Sequence, residues 1–443
     1  MMNIPIRAAT HPVAGSSTTS GRPNGLDEIL RRPLTELDRG LPFPPSGATI
    51  SDVGDIGWAL EDLLPPVAVL RESALANNLQ VMADYCSDRG FELAPHAKTT
   101  MAPQLVARQL DHGAWAMTVG TVFQARVLAH FGVRRIVIAH QICDPVGLRE
   151  IGRLLVEHPD LDLYALADSR SGVEAMHHAL SGLDASSHLN VLVELGMPGG
   201  RTGCRSLEEL IDVARAVGRA SSLRLAGVEG YEGLADRAEL EDALVAVDAF
   251  LDRLVDASEA LRRDQLIESR MILSAGGSAY FDRVVDRFAR ADPDILRVLR
   301  SGCYVTHDHG KYRRLSPLDG RAQAGPYLLP ALEVWAAAVS RPEPDLLIVN
   351  AGRRDMSFDA GMPVAVKRTQ VGAQMVENLD EWWPVERIMD QHAMLRIPTS
   401  ADVGPGDLIG LGISHPCTTF DKWRLLPVVD DGYHMVDAVV TVF

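Results

Sequence analysis

Residues 91–105 read FELAPHAKTTMAPQL: an apolar run reaches a proline and His96, then delivers one ammonium group, Lys98, ahead of two threonines. A lysine at a strand end is either a solvated charge or a group set there for chemistry, and its company decides which. GMPGGRTG holds Arg201 in a glycine-rich turn after the apolar run HLNVLVEL, and LRLAGVEGYEG carries Glu229 and Tyr231. RMILSAGGSAY ends in Ser274, Gly276, Gly277 and Ser278, and ILRVLRSGCYV supplies Ser301, Gly302 and Tyr304. Taken singly, Gly-Gly before a helix is a tight turn, Arg201 a surface charge and Tyr231 a packed ring. Taken together at the ends of successive apolar runs, they describe one face. Small residues ahead of helix N-termini expose backbone N–H groups that can cradle an anion such as a phosphate. A lysine, such a cradle and polar groups able to contact a ring form the set that pyridoxal phosphate requires. The lysine would form the Schiff base, and burial among apolar walls would lower its pKa so that it acts as a base.

A second constellation lies near the C-terminus, in GLGISHPCTTFDKW. His415 and Cys417 flank Pro416, so in an extended chain both point to one side. Imidazole plus thiolate suits zinc, although two donors do not complete a site. CYVTHDHG (303–310) offers Cys303, His307 and His309 as a competing or completing cluster, ranked below the His-x-Cys pair, and His392 is within reach of either role or of neither.

These residues need elements to position them. From Phe91 to Leu299, eight apolar runs alternate with amphipathic helical stretches: FELAPHA, AWAMTV, RIVIAH, DLYALAD, HLNVLVEL, LRLAGVEGY, RMILSAGG and ILRVL. Near-continuous apolar strands separated by helices predict parallel strands covered on both faces. Eight such units in this length predict a (β/α)8 barrel of TIM type, whose strand C-termini share the active-site face. An open doubly wound sheet is the alternative, weakened because no GxGxxG follows an early strand. The expected organisation is a flexible leader over 1–50 (residues 10–25 are small, polar and turn-prone), a bridging segment over 51–90, the barrel over 91–312, and a mainly β domain with the metal pair over 313–443.

The 443 residues are 47% hydrophobic, enough for a large core, and carry a net charge of −16, which argues against nucleic acid or anionic membrane as the main partner. No apolar run approaches the ~20 residues of a membrane span, and the N-terminus lacks a secretory pattern. Five scattered cysteines fit reduced thiols in a cytoplasmic protein.

In the order PHAKTTMAPQ, GMPGGRTG, GVEGYEG, SAGGS, SGCYV, AGRRDMSFDAGMP and SHPCTTFDKW, residues 60–443 resemble the fold-type III pyridoxal phosphate enzymes related to alanine racemase. More narrowly they resemble the D-threonine aldolase/eukaryotic-type D-serine dehydratase family, on its bacterial amino acid deaminase branch. The resemblance implies a pyridoxal phosphate barrel with a C-terminal β domain, as a homodimer with sites near the interface. It implies Lys98 as the Schiff-base lysine, Arg201 near the ring oxygen and Tyr231 against the ring. Ser274, Gly276, Gly277, Ser278, Gly302, Cys303 and Tyr304 match the phosphate loops, and His415 and Cys417 match the metal pair. That pair is His-x-Cys with zinc in the dehydratases, and His-x-Asp with a divalent metal such as manganese in the aldolases. The expected activity is metal-assisted dehydration of a D-β-hydroxy amino acid such as D-serine, followed by hydrolysis to a 2-oxo acid and ammonia. The alternative is retro-aldol cleavage to glycine and an aldehyde. A racemase would need an acid–base group on the opposite ring face, and a non-catalytic carrier would have no use for the His-Pro-Cys pair. Two departures bear on the substrate: Thr99-Thr100 stands where better-known members have Thr-His, and Arg353-Arg354 where others often have a lysine.

Overall fold

The computed structural model describes residues 25–183, 188–235, 239–267, 269–322, 324–373 and 375–443. Its central unit is an eight-stranded parallel sheet built from β1 (Glu92–Leu93), β2 (Met117–Val119), β3 (Arg135–Gln141), β4 (Asp162–Ala167), β5 (Leu189–Leu195), β6 (Leu223–Gly230), β7 (Ile272–Ala275) and β8 (Leu296–Leu299). All eight expected runs are strands. β1 pairs with β8, and β1 also meets β2: the Trp115 N–H donates to the Leu93 carbonyl at 2.8 Å and the Thr118 N–H to the Pro95 carbonyl at 2.8 Å. The sheet therefore closes into a barrel. Its interior is packed by Ala94, Ala116, Val137, Leu192, Ile272 and Val298 among others, with every strand or its flank contributing inward, while the alternate residues pack outward under the helices.

Local signals explain the helices. Thr121, Asp144, Ser169 and Ser206 each accept a backbone N–H at a helix start, and Pro103 and Pro145 occupy first-turn positions where no amide hydrogen is needed. At Gly227 in β6 an added Cβ would lie 1.9 Å from the Ile272 carbonyl oxygen, so only glycine lets β6 and β7 run this close.

The C-terminal residues form a second, nine-stranded and mainly antiparallel sheet. Leu346–Val349 pairs with both Ala393–Arg396 and Leu332–Glu343, which curls six of these strands into a small barrel. Between Leu332–Glu343 and Leu425–Val429 lies a strand from before the large barrel, Val67–Arg71.

The leader expected over 1–50 requires correction where it is described. Residues 1–24 lie outside the described residues, but Leu34, Leu41 and Ile50 are buried with Leu60, Val67, Trp335 and Leu425. Arg39 ion-pairs with Asp355 and lies over the Trp423 ring, 4.0 Å from its centroid. Turn-prone composition stops near Gly25, and the apolar anchors beyond it bind this segment to the β domain. No helix among the described residues is long and apolar enough to cross a membrane.

Candidate functional site

At the C-terminal mouth of the large barrel the strand ends and the β domain enclose a cavity of about 480 Å³. Lys98 lines it from a single 3-10 turn, Ala97–Thr99, that follows β1. The stem of Lys98 passes Gly120, where an added Cβ would come within 3.7 Å of its Cδ. Lys98 is exposed, whereas the sequence argument expected apolar walls around it; the reason is that the ammonium faces the open cavity. His96, just before, is held neutral: burial and then the nearby charges of Lys98, Arg300 and Arg201 drive its pKa well down. Its Nδ1 is buried and has no protein hydrogen-bond partner.

Arg201 and Tyr231 line the same cavity, with the guanidinium 5.4 Å from the ring centroid. Burial pushes the Tyr231 phenol up to about 12. The turn presenting Arg201 is stapled by Arg205, whose guanidinium donates to the carbonyls of Gly200, Arg201, Thr202 and Gly203 at 2.7–3.2 Å. Glu194, at the end of β5, accepts from Thr202 Oγ1 at 3.1 Å and from Gln141.

The glycine cradle holds a carboxyl group of the chain's own. Glu232 accepts the N–H groups of Gly276 at 3.0 Å and Gly277 at 2.6 Å, so these two amides are not free as expected. The geometry nonetheless binds a carboxylate, as a cradle of backbone amides should. Ser278 and Gly302 also line the cavity, and Ser278 Oγ accepts the Cys303 N–H at 3.1 Å. Ser274 and Tyr304 are corrections. The Ser274 hydroxyl donates to the Val298 carbonyl inside the barrel wall, and the Tyr304 hydroxyl accepts from Gln109 in the core, so neither side chain lines the cavity.

From the β domain come His415 and Cys417, with Cys417 beside the turn that carries Lys98: its Sγ lies 3.5 Å from Thr99 Oγ1. They do not sit in extended chain as expected: Pro416 is helical and Cys417 opens the one-turn helix Cys417–Phe420, yet both side chains reach the cavity. His415 Nδ1 lies 2.6 Å from Asp359 Oδ2, and the Thr418 hydroxyl donates to Asp359 Oδ1 at 2.8 Å. Against the upward push of burial, these bonds hold the Asp359 carboxyl below its usual range. Cys417 Sγ is 3.6 Å from Cys303 Sγ; the bond from Cys303 lowers the Cys417 thiol to about 7, while Cys303 is driven up. His307 and His309 lie elsewhere: His307 pairs with Asp319 at 2.9 Å, and His309 is half-buried against Trp382, where loss of solvent around the ring lowers its pKa to about 4. His392 is exposed and away from the cavity.

Sequence reasoning named Glu229 but missed its buried partner Arg300, and both line the cavity. Arg300 ion-pairs with Glu229 and donates to the Gly230 carbonyl at 2.9 Å. Burial, opposed by Arg300, raises Glu229 to about 7. A lone acid inside the apolar run of β6 was the available signal, because a carboxylate buried there requires a cation nearby.

Residues 331–429 match the family model described as "Putative serine dehydratase domain". A D-threonine aldolase from Arthrobacter sp. is 24% identical over 90% of this chain and 95% of its own length. The D-threo-3-hydroxyaspartate dehydratase of Delftia sp. (strain HT23) is 28% identical over 55% of this chain and 61% of its own. Among solved structures, D-threonine aldolase from Filomicrobium marinum superposes at a TM-score of 0.73 and 24% identity, covering 87% of this chain and 97% of that one. Alanine racemase from Bacillus anthracis superposes at 0.57 and 15%, covering 84% and 97%. This chain carries a D-serine dehydratase-like domain on an alanine racemase-like fold. In the dehydratase-like domain lie His415, Cys417 and Asp359; the barrel brings Lys98, Arg201 and Tyr231 to the same cavity.

The residues present fit the two groups that the fold family implies. For pyridoxal phosphate there are an accessible primary amine, a cradle whose amides bind an anion, and a buried imidazole nitrogen awaiting a partner. For a soft divalent metal there are an imidazole oriented by a carboxylate and a thiol of lowered pKa. As the side chains stand, no group of three or more His, Cys, Asp or Glu among the described residues is arranged to hold a metal ion.

Proposed function

We propose that the protein is a pyridoxal phosphate-dependent, zinc-assisted dehydratase that converts a D-β-hydroxy amino acid into a 2-oxo acid and ammonia. The observation that carries this reading is that Lys98, from the barrel, and the His415–Cys417 pair, from the β domain, line one cavity. When bound, pyridoxal phosphate supplies an electron sink for charge at the substrate's Cα, and zinc supplies a Lewis acid for its β-hydroxyl. Lys98 would hold the cofactor, then take the Cα proton on its Nζ. Arg201 and Tyr231 would flank the ring, and the loops Gly276–Ser278 and Gly302–Cys303 would receive the phosphate once Glu232 gives up the amides of Gly276 and Gly277. His415 and Cys417 would hold the metal that polarises the β-hydroxyl, and the proton taken by Lys98 would pass to the departing oxygen so that it leaves as water.

A second reading, retro-aldol cleavage, is favoured by the relative over 90% of this chain being a D-threonine aldolase. It needs no removal of the Cα proton; a base must instead take the hydroxyl proton. Product analysis decides. Pyruvate and ammonia from D-serine, dependent on zinc, support the dehydratase; glycine and acetaldehyde from D-threonine without 2-oxo acid replace it by the aldolase. Borohydride reduction of the holoenzyme followed by peptide mapping should label Lys98, and a label elsewhere overturns both.

A further inference from the structure

Cys303 and Cys417 lie 114 residues apart in sequence, on the barrel and on the β domain, yet their sulfurs are 3.6 Å apart on the cavity wall. Both also approach one hydroxyl, Thr99 Oγ1, at 3.8 and 3.5 Å, on the residue that follows Lys98. Neither backbone has slack. The Cys303 N–H is tied to Ser278 Oγ at 3.1 Å, and a Cβ on the preceding Gly302 would lie 2.7 Å from the His96 carbonyl oxygen. Cys417 begins a helical turn in which the Thr419 N–H bonds the Pro416 carbonyl at 3.0 Å. Cys303 is only 6% exposed.

We propose that Cys303 is a second thiolate donor to the metal held by His415 and Cys417, making a two-sulfur, one-nitrogen site that takes zinc in preference to magnesium or manganese. This rests on the metal-assisted reading above. Two thiolates on one tetrahedral zinc, at Zn–S distances of about 2.3 Å, stand about 3.8 Å apart, so the sulfur pair is already close to the spacing the ion needs. His415 is the donor that must close the set. With three protein donors, one position stays open for a substrate oxygen, as catalytic zinc requires. Two soft sulfurs select against hard cations that prefer oxygen.

The test uses the full-length protein, stripped of metal and titrated with Co(II) under anaerobic conditions. Thiolate-to-cobalt charge-transfer absorbance scales with the number of sulfurs bound. The wild type should show a two-thiolate band, Cys303→Ser and Cys417→Ser each about half of it, and Cys303→Ser should weaken zinc binding by roughly 100-fold or more, beyond the range for groups that merely support a ligand. A parallel measurement needs no variant: zinc should slow alkylation of Cys303 in the wild type, read by peptide mapping. A one-thiolate band in the wild type that persists in Cys303→Ser, with Cys303 alkylation unaffected by zinc, overturns this inference and leaves the metal reading standing. No Co(II) band in any form overturns both.

Discussion

Asp359 Oδ2 lies 2.6 Å from Nδ1 of His415, and both residues belong to the dehydratase-like domain. The contact orients the imidazole and, with the proton on Nδ1, leaves Nε2 as the free acceptor. Removing such a supporting carboxylate typically lowers metal affinity ~10–100-fold. Asp359→Ala should therefore lose zinc affinity by about that factor in a competition titration, while the cofactor's absorbance is unchanged. Unchanged zinc affinity would show that the pair is a surface contact only.

Arg205 does not touch the cavity, yet its guanidinium gathers four carbonyls of the turn that presents Arg201. Arg205→Ala frees those carbonyls and the turn with them. The expected result is weaker cofactor retention by about tenfold, corresponding to ~1.4 kcal/mol, with little change in the folding of the barrel core. Equilibrium dialysis against pyridoxal phosphate, alongside thermal melting, separates the two effects.

Gly302 sits where a Cβ would meet His96 Cβ and O, each at 2.7 Å. Gly302→Ala must push the turn after β8 away from the turn bearing Lys98. Overpacking of this kind costs ~1–3 kcal/mol, and borohydride labelling of Lys98 should fall with it. Labelling at the wild-type level in the variant would mean that the two turns are not mechanically linked.

Glu229 is a buried acid, 1% exposed, that titrates at about 7 in the fold against 4.5 as a free side chain. Below about pH 4.5 it is protonated in both states and contributes no penalty. Between 4.5 and 7 only the unfolded chain ionises, so stability falls as pH rises, by up to about 3 kcal/mol once both states are charged. Glu232, also raised by burial, acts in the same direction. Urea midpoints measured from pH 4.5 to 8 should show this decline, and Glu229→Gln should flatten it. An equally steep decline in the variant would assign the effect to other groups.

Much of the barrel was legible because strands covered on both faces have to be apolar throughout, and several runs are followed by a helix with a recognisable start, such as Asp144-Pro145 or the Ser206–Glu209 capping box. The meeting of Lys98 with His415 and Cys417 was readable only through the order of motifs, since nothing in the 316 intervening residues states which loops face each other. Glu232 escaped notice because its partners are backbone amides, which carry no residue identity. Arg300 escaped because a cation at a strand end reads as solvated until its neighbour on β6 is known. Ser274 and Tyr304 failed for the opposite reason. Their types suit a phosphate loop, but strand alternation turns one hydroxyl to Val298 and the core takes the other ring.

Val67–Arg71 is an inner strand of the C-terminal sheet, flanked by Leu332–Glu343 and Leu425–Val429. During vectorial synthesis this strand emerges first and must wait for the entire barrel to be made before either neighbour exists. A fragment starting at residue 331 would expose two raw β edges and be prone to aggregate, so the barrel and the sheet that carries His415 and Cys417 have to be expressed or exchanged together.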